Sequence, residues 1–186
     1  MRIISGALKG KKIFQPKDKL TRPLKDLTKE SIFNIIKHSN LIKYEIENSN
    51  ILDLFSGIGS FGFECISHGA LNVTFLENYS NAIEILKKNS QNLKCENKIK
   101  IISDNIFDSN ILDNLKKNNF EIIFLDPPYK ERRLGGLLKR IIKLNILKKD
   151  GIIIIHRHKN ERDDFPDEFN TLKIKTYGIS KIIFGN

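Results

Sequence analysis

Asp126-Pro127-Pro128-Tyr129 follows the apolar run Phe120-Glu121-Ile122-Ile123-Phe124-Leu125, which reads as a buried strand, so the tetrad falls at a strand's carboxyl end. Open α/β sheets hold their ligands there. A carboxylate and two carbonyls fixed by proline offer acceptors to an amino group, and Tyr129 adds a flat face for an aromatic ring. The catalytic residues expected from these types and this spacing are Asp126, Pro127, Pro128 and Tyr129, arranged to hold an exocyclic amine of a nucleobase.

A second constellation lies upstream. Ile51-Leu52-Asp53-Leu54-Phe55-Ser56-Gly57-Ile58-Gly59-Ser60-Phe61-Gly62 runs from an apolar strand through a glycine turn into an amphipathic segment ending at Gly69, a helix-stop residue. Glycines at 57, 59 and 62 let the backbone turn sharply and approach a ligand. Asp53, inside the strand, can reach the ammonium of a methionine moiety, directly or through water. The next strand, Val73-Thr74-Phe75-Leu76, delivers Glu77, 24 residues beyond Asp53, the usual place of a ribose-binding acid. Ile99-Lys100-Ile101-Ile102 ends near Asp104-Asn105, placed to meet an adenine amino group. The expected cofactor is nucleoside-shaped, S-adenosylmethionine, held by Asp53, Phe55, Gly57, Gly59, Glu77, Asp104 and Asn105. Each acid taken singly equally suits an ordinary cap, Asp104 that of a helix over Ile106 to Lys117. Their joint order carries the reading.

The elements that must position these groups alternate as strands and helices, which predicts an α/β, Rossmann-like, mostly parallel sheet. Further helices are expected over Asn81 to Asn89 and Leu134 to Leu144. Gly135 and Gly136 weaken the start of the latter and equally suit a mobile loop beside the tetrad. Thr171 to Tyr177 and Ser180 to Phe184, around Gly178, predict a closing antiparallel hairpin. Before the polar linker Glu45 to Asn50, Arg2-Ile3-Ile4-Ser5-Gly6 and Lys11-Lys12-Ile13-Phe14 suit a small hairpin. Leu24, Leu27, Ile32, Ile35 and Ile36 then suit one apolar face of a helix. The division expected is a basic appendage over 1–44 and a catalytic domain over 45–186.

Charge is unevenly placed. Residues 1–43 hold eleven Lys or Arg against three acids, a balance of +8 within a total of +10. A basic appendage on a nearly neutral body suits phosphate binding, and Arg2, Lys9, Lys11, Lys12 and Arg22 are the expected RNA contacts. The alternative is a solvated lysine-rich surface. No apolar stretch approaches the roughly 18 to 20 residues of a membrane span, and no secretory segment is evident, so one cytoplasmic domain is expected. Cys65 and Cys95 read as free thiols, the latter in a polar loop, with no metal site. His156-Arg157-His158 reads as a solvated strand end.

Together, Arg2-Ile3-Ile4-Ser5-Gly6, Thr21-Arg22-Pro23, Glu30-Ser31-Ile32-Phe33-Asn34, Leu52-Asp53-Leu54-Phe55-Ser56-Gly57, Asp126-Pro127-Pro128-Tyr129 and Tyr177-Gly178 resemble the RsmD family of bacterial 16S rRNA guanine-N2 methyltransferases, in collinear order over nearly the whole chain. The resemblance implies a class I methyltransferase fold. It also implies methylation of guanine 966 on N2, with 16S rRNA presented in the small ribosomal subunit and the enzyme a monomer. Leu24 stands where the family usually has Thr, and Ile58 where Ser or Thr is common. A DNA or RNA adenine methyltransferase would share the tetrad, and a non-catalytic RNA-binding module would share the basic appendage. The DNA enzyme normally needs a target-recognition region for which this chain has no spare segment. The module would leave Asp53, Glu77 and the tetrad without a purpose.

Overall fold

The computed structural model describes residues 1–16, 24–39, 42–108, 110–115 and 120–186. Thr21-Arg22-Pro23, and Lys117 at the end of one expected helix, lie outside the described residues. One seven-stranded sheet forms the centre, built from β1 (Asn50–Leu54), β2 (Asn72–Glu77), β3 (Ile99–Ser103), β4 (Phe120–Leu125), β5 (Leu147–His158), β6 (Thr171–Tyr177) and β7 (Ser180–Gly185). The helices are α1 (Asp26–His38), α2 (Ser60–Ser67), α3 (Ser80–Leu93), α4 (Ile111–Leu115) and α5 (Leu134–Lys143).

The strand order is β3-β2-β1-β4-β5-β7-β6. β1 to β5 pair in parallel, and β7 is antiparallel to both β5 and β6. The chain winds outward through β2 and β3 on one side of β1, then through β4 and β5 on the other, so the reversal lies between β1 and β4. A crevice opens at the carboxyl ends of such a pair.

Because β1 and β4 are covered on both faces, their sequences are continuous apolar runs. Alternate residues feed two cores. Ile51, Ile122, Phe124, Ile152 and Ile154 pack with residues of α1, α2 and α3, among them Phe33, Phe61 and Leu86. Leu52, Leu54, Ile123, Leu125, Ile153 and Ile155 pack with Leu112 and Leu115 of α4 and Leu134, Leu138 and Ile141 of α5.

Local readings change in four places. The buried face of α1 is Thr28, Lys29, Ile32, Phe33 and Ile36, whereas Leu27 is exposed. At roughly 100° per residue, Leu27 lies about 180° around the helix from Ile36. The helix expected from Ile106 is the short α4, because Ile106 to Asp108 form a turn fixed by Asn105, whose Oδ1 accepts from the Phe107 amide at 3.1 Å. Gly135 and Gly136 lie inside α5, and a Cβ on Gly135 would stand 2.3 Å from the Asp164 carbonyl. Within the expected linker, Ile46 and Ser49 are buried.

The amino-terminal segment shares the first core through Ile3 and Ile13. Its hairpin is a single antiparallel bridge between Arg2 and Lys12, with the Ile3 amide donating to the Lys11 carbonyl at 2.9 Å. Glu64, fully buried on α2, accepts from the amides of Ile4 (3.1 Å) and Ser5 (2.8 Å) and from Lys29 Nζ (3.3 Å). Lys29 in turn donates to the Arg2 carbonyl at 3.1 Å.

Candidate active site

Sheet register brings the expected groups to one level. Leu54 pairs with Leu76 on one side and Leu125 on the other, and Leu125 pairs with Ile155. Glu77, Asp126 and His156 are the next residues along their strands, so all three emerge at the same edge. Asp53, one residue earlier, shares strand parity with Ile51 and faces the α2 side.

Asp53 is buried, and its Oδ2 accepts from the Gly62 amide at 3.0 Å. Among the described residues, Oδ1 is buried without a hydrogen-bond partner. Burial pushes this carboxyl well above the usual aspartate range. The Gly62 hydrogen bond opposes the shift, and the nearby carboxylates of Asp126 and Glu77 reinforce it. An orphaned acceptor in this position is what a ligand ammonium would satisfy.

The loop after β1 opens with Phe55 at φ 59°, an uncommon conformation for an aromatic residue. Gly57, at φ 53°, has open space where a Cβ would stand. At Gly59 a Cβ would meet the Phe63 ring at 2.6 Å, and at Gly62 the Phe75 ring at 2.2 Å. Those two glycines therefore answer to helix packing, and Gly57 is the one whose bare face opens outward. Glu77 closes the loop: Oε2 accepts from Gly57 at 2.7 Å, and Oε1 from the amides of Asn78 and Tyr79 at 2.9 Å each. Three of about four acceptor positions are thus occupied, leaving room for one ligand hydroxyl.

Phe55, Glu77, Asp104 and Asn105 line one cavity of about 140 Å³, together with Phe107, Pro128, Glu131 and Arg133. Asp104 does not cap α4; its Oδ1 accepts from the Asn105 amide at 2.9 Å. Arg133 lies over the Phe107 ring, 3.6 Å from its centroid, and forks onto Glu131 with Nε at 2.8 Å and Nη2 at 2.7 Å. These hydrogen bonds pull the Glu131 carboxyl down to about 2. An acid beside two arginines is too common a string to have marked this clasp in the sequence.

The tetrad is held by the strand end read as solvated, which is the main correction. His156 and Arg157 are buried. His156 Nδ1 lies 2.7 Å from Asp126 Oδ1, and its Nε2 lies 2.9 Å from Ser180 Oγ of β7. Among the described residues, Asp126 Oδ2 takes no hydrogen bond. Arg157 points to the opposite face of β5 and donates to the carbonyls of Pro128 (2.9 Å), Tyr129 (3.1 Å) and Glu131 (3.1 Å), while its Nε donates to Asp163 Oδ1 at 2.8 Å. Pro128 O also accepts from the Glu131 amide at 2.9 Å, so both its lone pairs are engaged. Pro127 O accepts no hydrogen bond among the described residues. Tyr129 stands edge-on to the His158 ring, centroids 5.2 Å apart. The rule that singled out Asp126, a polar side chain at a parallel strand's carboxyl end, would have found His156 too.

Arg2, Lys9, Lys11 and Lys12 are all exposed, and none of them lines the cavity of about 140 Å³. A broader depression of about 680 Å³ between α1 and β6 is lined by Ser31, Asn34, His38, Lys173 and Tyr177 among others; among the described residues that line it there is no carboxylate and none of the strand-end groups. Cys65 and Cys95 are free, and Cys95 is buried although its flanking sequence is polar.

The chain is similar to known proteins over its whole length. A family model described as conserved hypothetical protein 95 matches residues 1–186. Ribosomal RNA small subunit methyltransferase D of Haemophilus influenzae is 34% identical over 183 residues, 96% of this chain and 90% of that protein. The protein of the same name from Buchnera aphidicola subsp. Baizongia pistaciae is 35% identical over 159 residues, 84% of this chain and 76% of that protein. Among solved structures, a candidate methylase from Haemophilus influenzae has 33% identity and a TM-score of 0.73, covering 99% of this chain and 96% of that one. This full-length agreement, in a chain whose seven-stranded sheet is a class I methyltransferase sheet, means that it belongs to the conserved hypothetical protein 95 family, the family of ribosomal RNA small subunit methyltransferase D.

Proposed function

We propose that this chain is a cytoplasmic, S-adenosylmethionine-dependent rRNA methyltransferase that modifies the exocyclic N2 of a guanine in 16S rRNA, the guanine 966 type, within a small-subunit particle. It works as a monomer in which residues 45–186 carry the reaction and residues 1–44 bind RNA. The observation that carries the reading is a pair of unused acceptors, Asp126 Oδ2 and Pro127 O, at the edge where Asp53 presents an orphaned carboxyl oxygen. The relatives' names supply the rRNA.

The residues present fit the cofactor. Asp53 Oδ1 would take the ammonium, Gly57 leaves its loop face open, Glu77 retains one position for a ribose hydroxyl, and Phe55, Asp104 and Asn105 border the space for the base. When bound, S-adenosylmethionine supplies a methyl group on a positively charged sulfur.

The guanine amino lone pair is delocalised into the ring and is a poor nucleophile. Asp126 Oδ2 and Pro127 O accept its two protons, localise the lone pair and aim it for in-line attack. Positioning of this kind, with reacting atoms about 3 to 3.5 Å apart, accounts for much of the gain. No strong base is needed beforehand, because the nitrogen becomes acidic only after it is methylated, and Asp126 then takes the proton. His156 holds the other carboxylate oxygen, so Asp126 keeps one rotamer. Arg157 fixes the backbone that carries Pro128 and Tyr129, and Tyr129 offers a stacking face that offsets part of the few kcal/mol of base extrusion.

Calorimetric titration with S-adenosylmethionine, followed by mapping of methylated positions in small-subunit RNA from a strain lacking the protein, tests the reading. A single N2-methylguanine restored by the purified protein is expected. Cofactor binding without restored RNA methylation would reject the RNA substrate.

A further inference from the structure

The return strand of the amino-terminal hairpin presents an aromatic ring where a core strand would hide it. Ile13 is buried, while Lys12 and Phe14 on either side are exposed, Phe14 by 53%. Strand alternation places Lys12 and Phe14 on the same outward face. Arg2 pairs directly across from Lys12, so two cations stand opposite each other beside the ring. Like charges in that relation destabilise a strand pair, and an anionic partner relieves the repulsion.

The backbone that carries the ring is also fixed. The Phe14 amide donates to Asn89 Oδ1 at 2.7 Å, and Asn89 Nδ2 donates back to the Phe14 carbonyl at 3.3 Å. Asn92 Nδ2 donates to the Lys12 carbonyl at 2.9 Å. Asn89 is fully buried, and its Nδ2 also lies 3.2 Å from the Ile58 carbonyl in the glycine loop. One side chain therefore ties Phe14 to the loop that borders the cofactor space. An exposed aromatic ring on a fixed backbone, flanked by cations, is the arrangement on which single-stranded nucleic acids stack.

We infer that Phe14 is a stacking platform for one unpaired base of the RNA, with Arg2 and Lys12 neutralising the phosphates on either side of that nucleotide. This rests on the RNA-substrate reading above and adds to it the form of RNA recognised, single-stranded at this contact. The base met here is a different one from the target, since Phe14 lies on a separate element from Asp126.

Binding of the full-length protein to a fluorescent oligoadenylate and to a duplex RNA of equal length, across a salt series, tests the inference. Phe14→Ala is expected to weaken oligoadenylate binding about ten- to a hundredfold and to leave the salt slope unchanged, because no charge is lost. Phe14→Tyr should stay near wild type and Phe14→Leu should resemble Phe14→Ala, since apolar area survives in Leu but the ring does not. Arg2→Gln with Lys12→Gln should instead flatten the slope. Duplex binding should be unaffected by Phe14→Ala. Oligoadenylate affinity of Phe14→Ala within twofold of wild type would overturn the platform. Wild-type protein that binds neither RNA at low salt would instead overturn the RNA-substrate reading itself.

Discussion

At the residue scale, Asp126 and Asp53 are two carboxylates at one edge in different surroundings, one partly exposed and one buried. Asp126 is partly exposed and anchored by His156, and the proposed reaction uses it in the transition state. Asp126→Ala should lower kcat about a hundredfold while cofactor affinity holds. His156→Ala should lower kcat about tenfold with little change in KM for S-adenosylmethionine, and His156→Asn should recover most of the loss, because its amide can donate from near the Nδ1 position. Equal loss in the two His156 variants, measured in single turnovers, would mean that the histidine does not act by holding the carboxylate. Burial raises the pKa of Asp53. A carboxyl with a raised folded pKa contributes stability that is fully present below its unfolded value and is lost as pH rises through the folded value. The cofactor-free protein should therefore lose stability over that window, whereas Asp53→Asn should not, and above the window the variant should melt higher. Over the same interval wild-type cofactor affinity should rise, since a ligand ammonium favours the ionised carboxylate. Melting curves and calorimetry at matched pH values check both signs.

At the element scale, the carboxyl end of β5 grips the tetrad from both faces because successive side chains alternate across the sheet. His156 faces the α2 side and Asp126; Arg157 faces the α5 side and the carbonyls after Pro127. Arg157 is fully buried, and Asp163 is its ionic partner, with Lys181 Nζ 3.7 Å from the other Asp163 oxygen. Removing Arg157 leaves the buried Asp163 carboxylate with only the longer Lys181 contact to compensate it. Arg157→Met should cost about 3 to 5 kcal/mol in chemical denaturation. In the fraction that remains folded it should also reduce turnover, through the freed carbonyls of Pro128 and Tyr129. A stable Arg157→Met protein with normal turnover would show that the tetrad loop keeps its own shape.

At the scale of the whole molecule, the amino-terminal segment is basic outside and structural inside. Ile3 and Ile13 sit in the core, and Glu64 depends on the Ile4 and Ser5 amides and on Lys29. Deleting the segment would unsettle α1 and α2, so a truncation confounds RNA binding with folding. Charge substitutions separate the two. Lys9→Gln, Lys11→Gln and Lys12→Gln together should leave the melting temperature within a degree or two and reduce the dependence of log affinity on log salt by about 0.7 to 0.9 per lost phosphate contact. An unchanged salt slope would identify these lysines as a solvated surface. Lys29, counted among the same basic residues in the sequence, is fully buried against Glu64 and takes no part in that slope.

The sequence by itself determined the alternating elements, the strand ends and the two motifs, because apolar period and glycine placement are local properties. The order β3-β2-β1-β4-β5-β7-β6 and its register turned four scattered strand ends into one edge. Which polar groups there are already satisfied was decided only by tertiary structure. Pro127 and Pro128 are indistinguishable as letters, yet Arg157 and Glu131 occupy the carbonyl of one and not of the other. Gly57 and Gly59 differ likewise, by whether the Phe63 ring stands where a Cβ would go. His156 and Arg157 read as a solvated strand end, and Lys29 only as one more basic charge, for a related reason. A polar side chain is buried when partners distant in sequence satisfy it, and those partners, Asp126 and Ser180, Asp163 and the tetrad carbonyls, and Glu64, come together only when the sheet and its helices close.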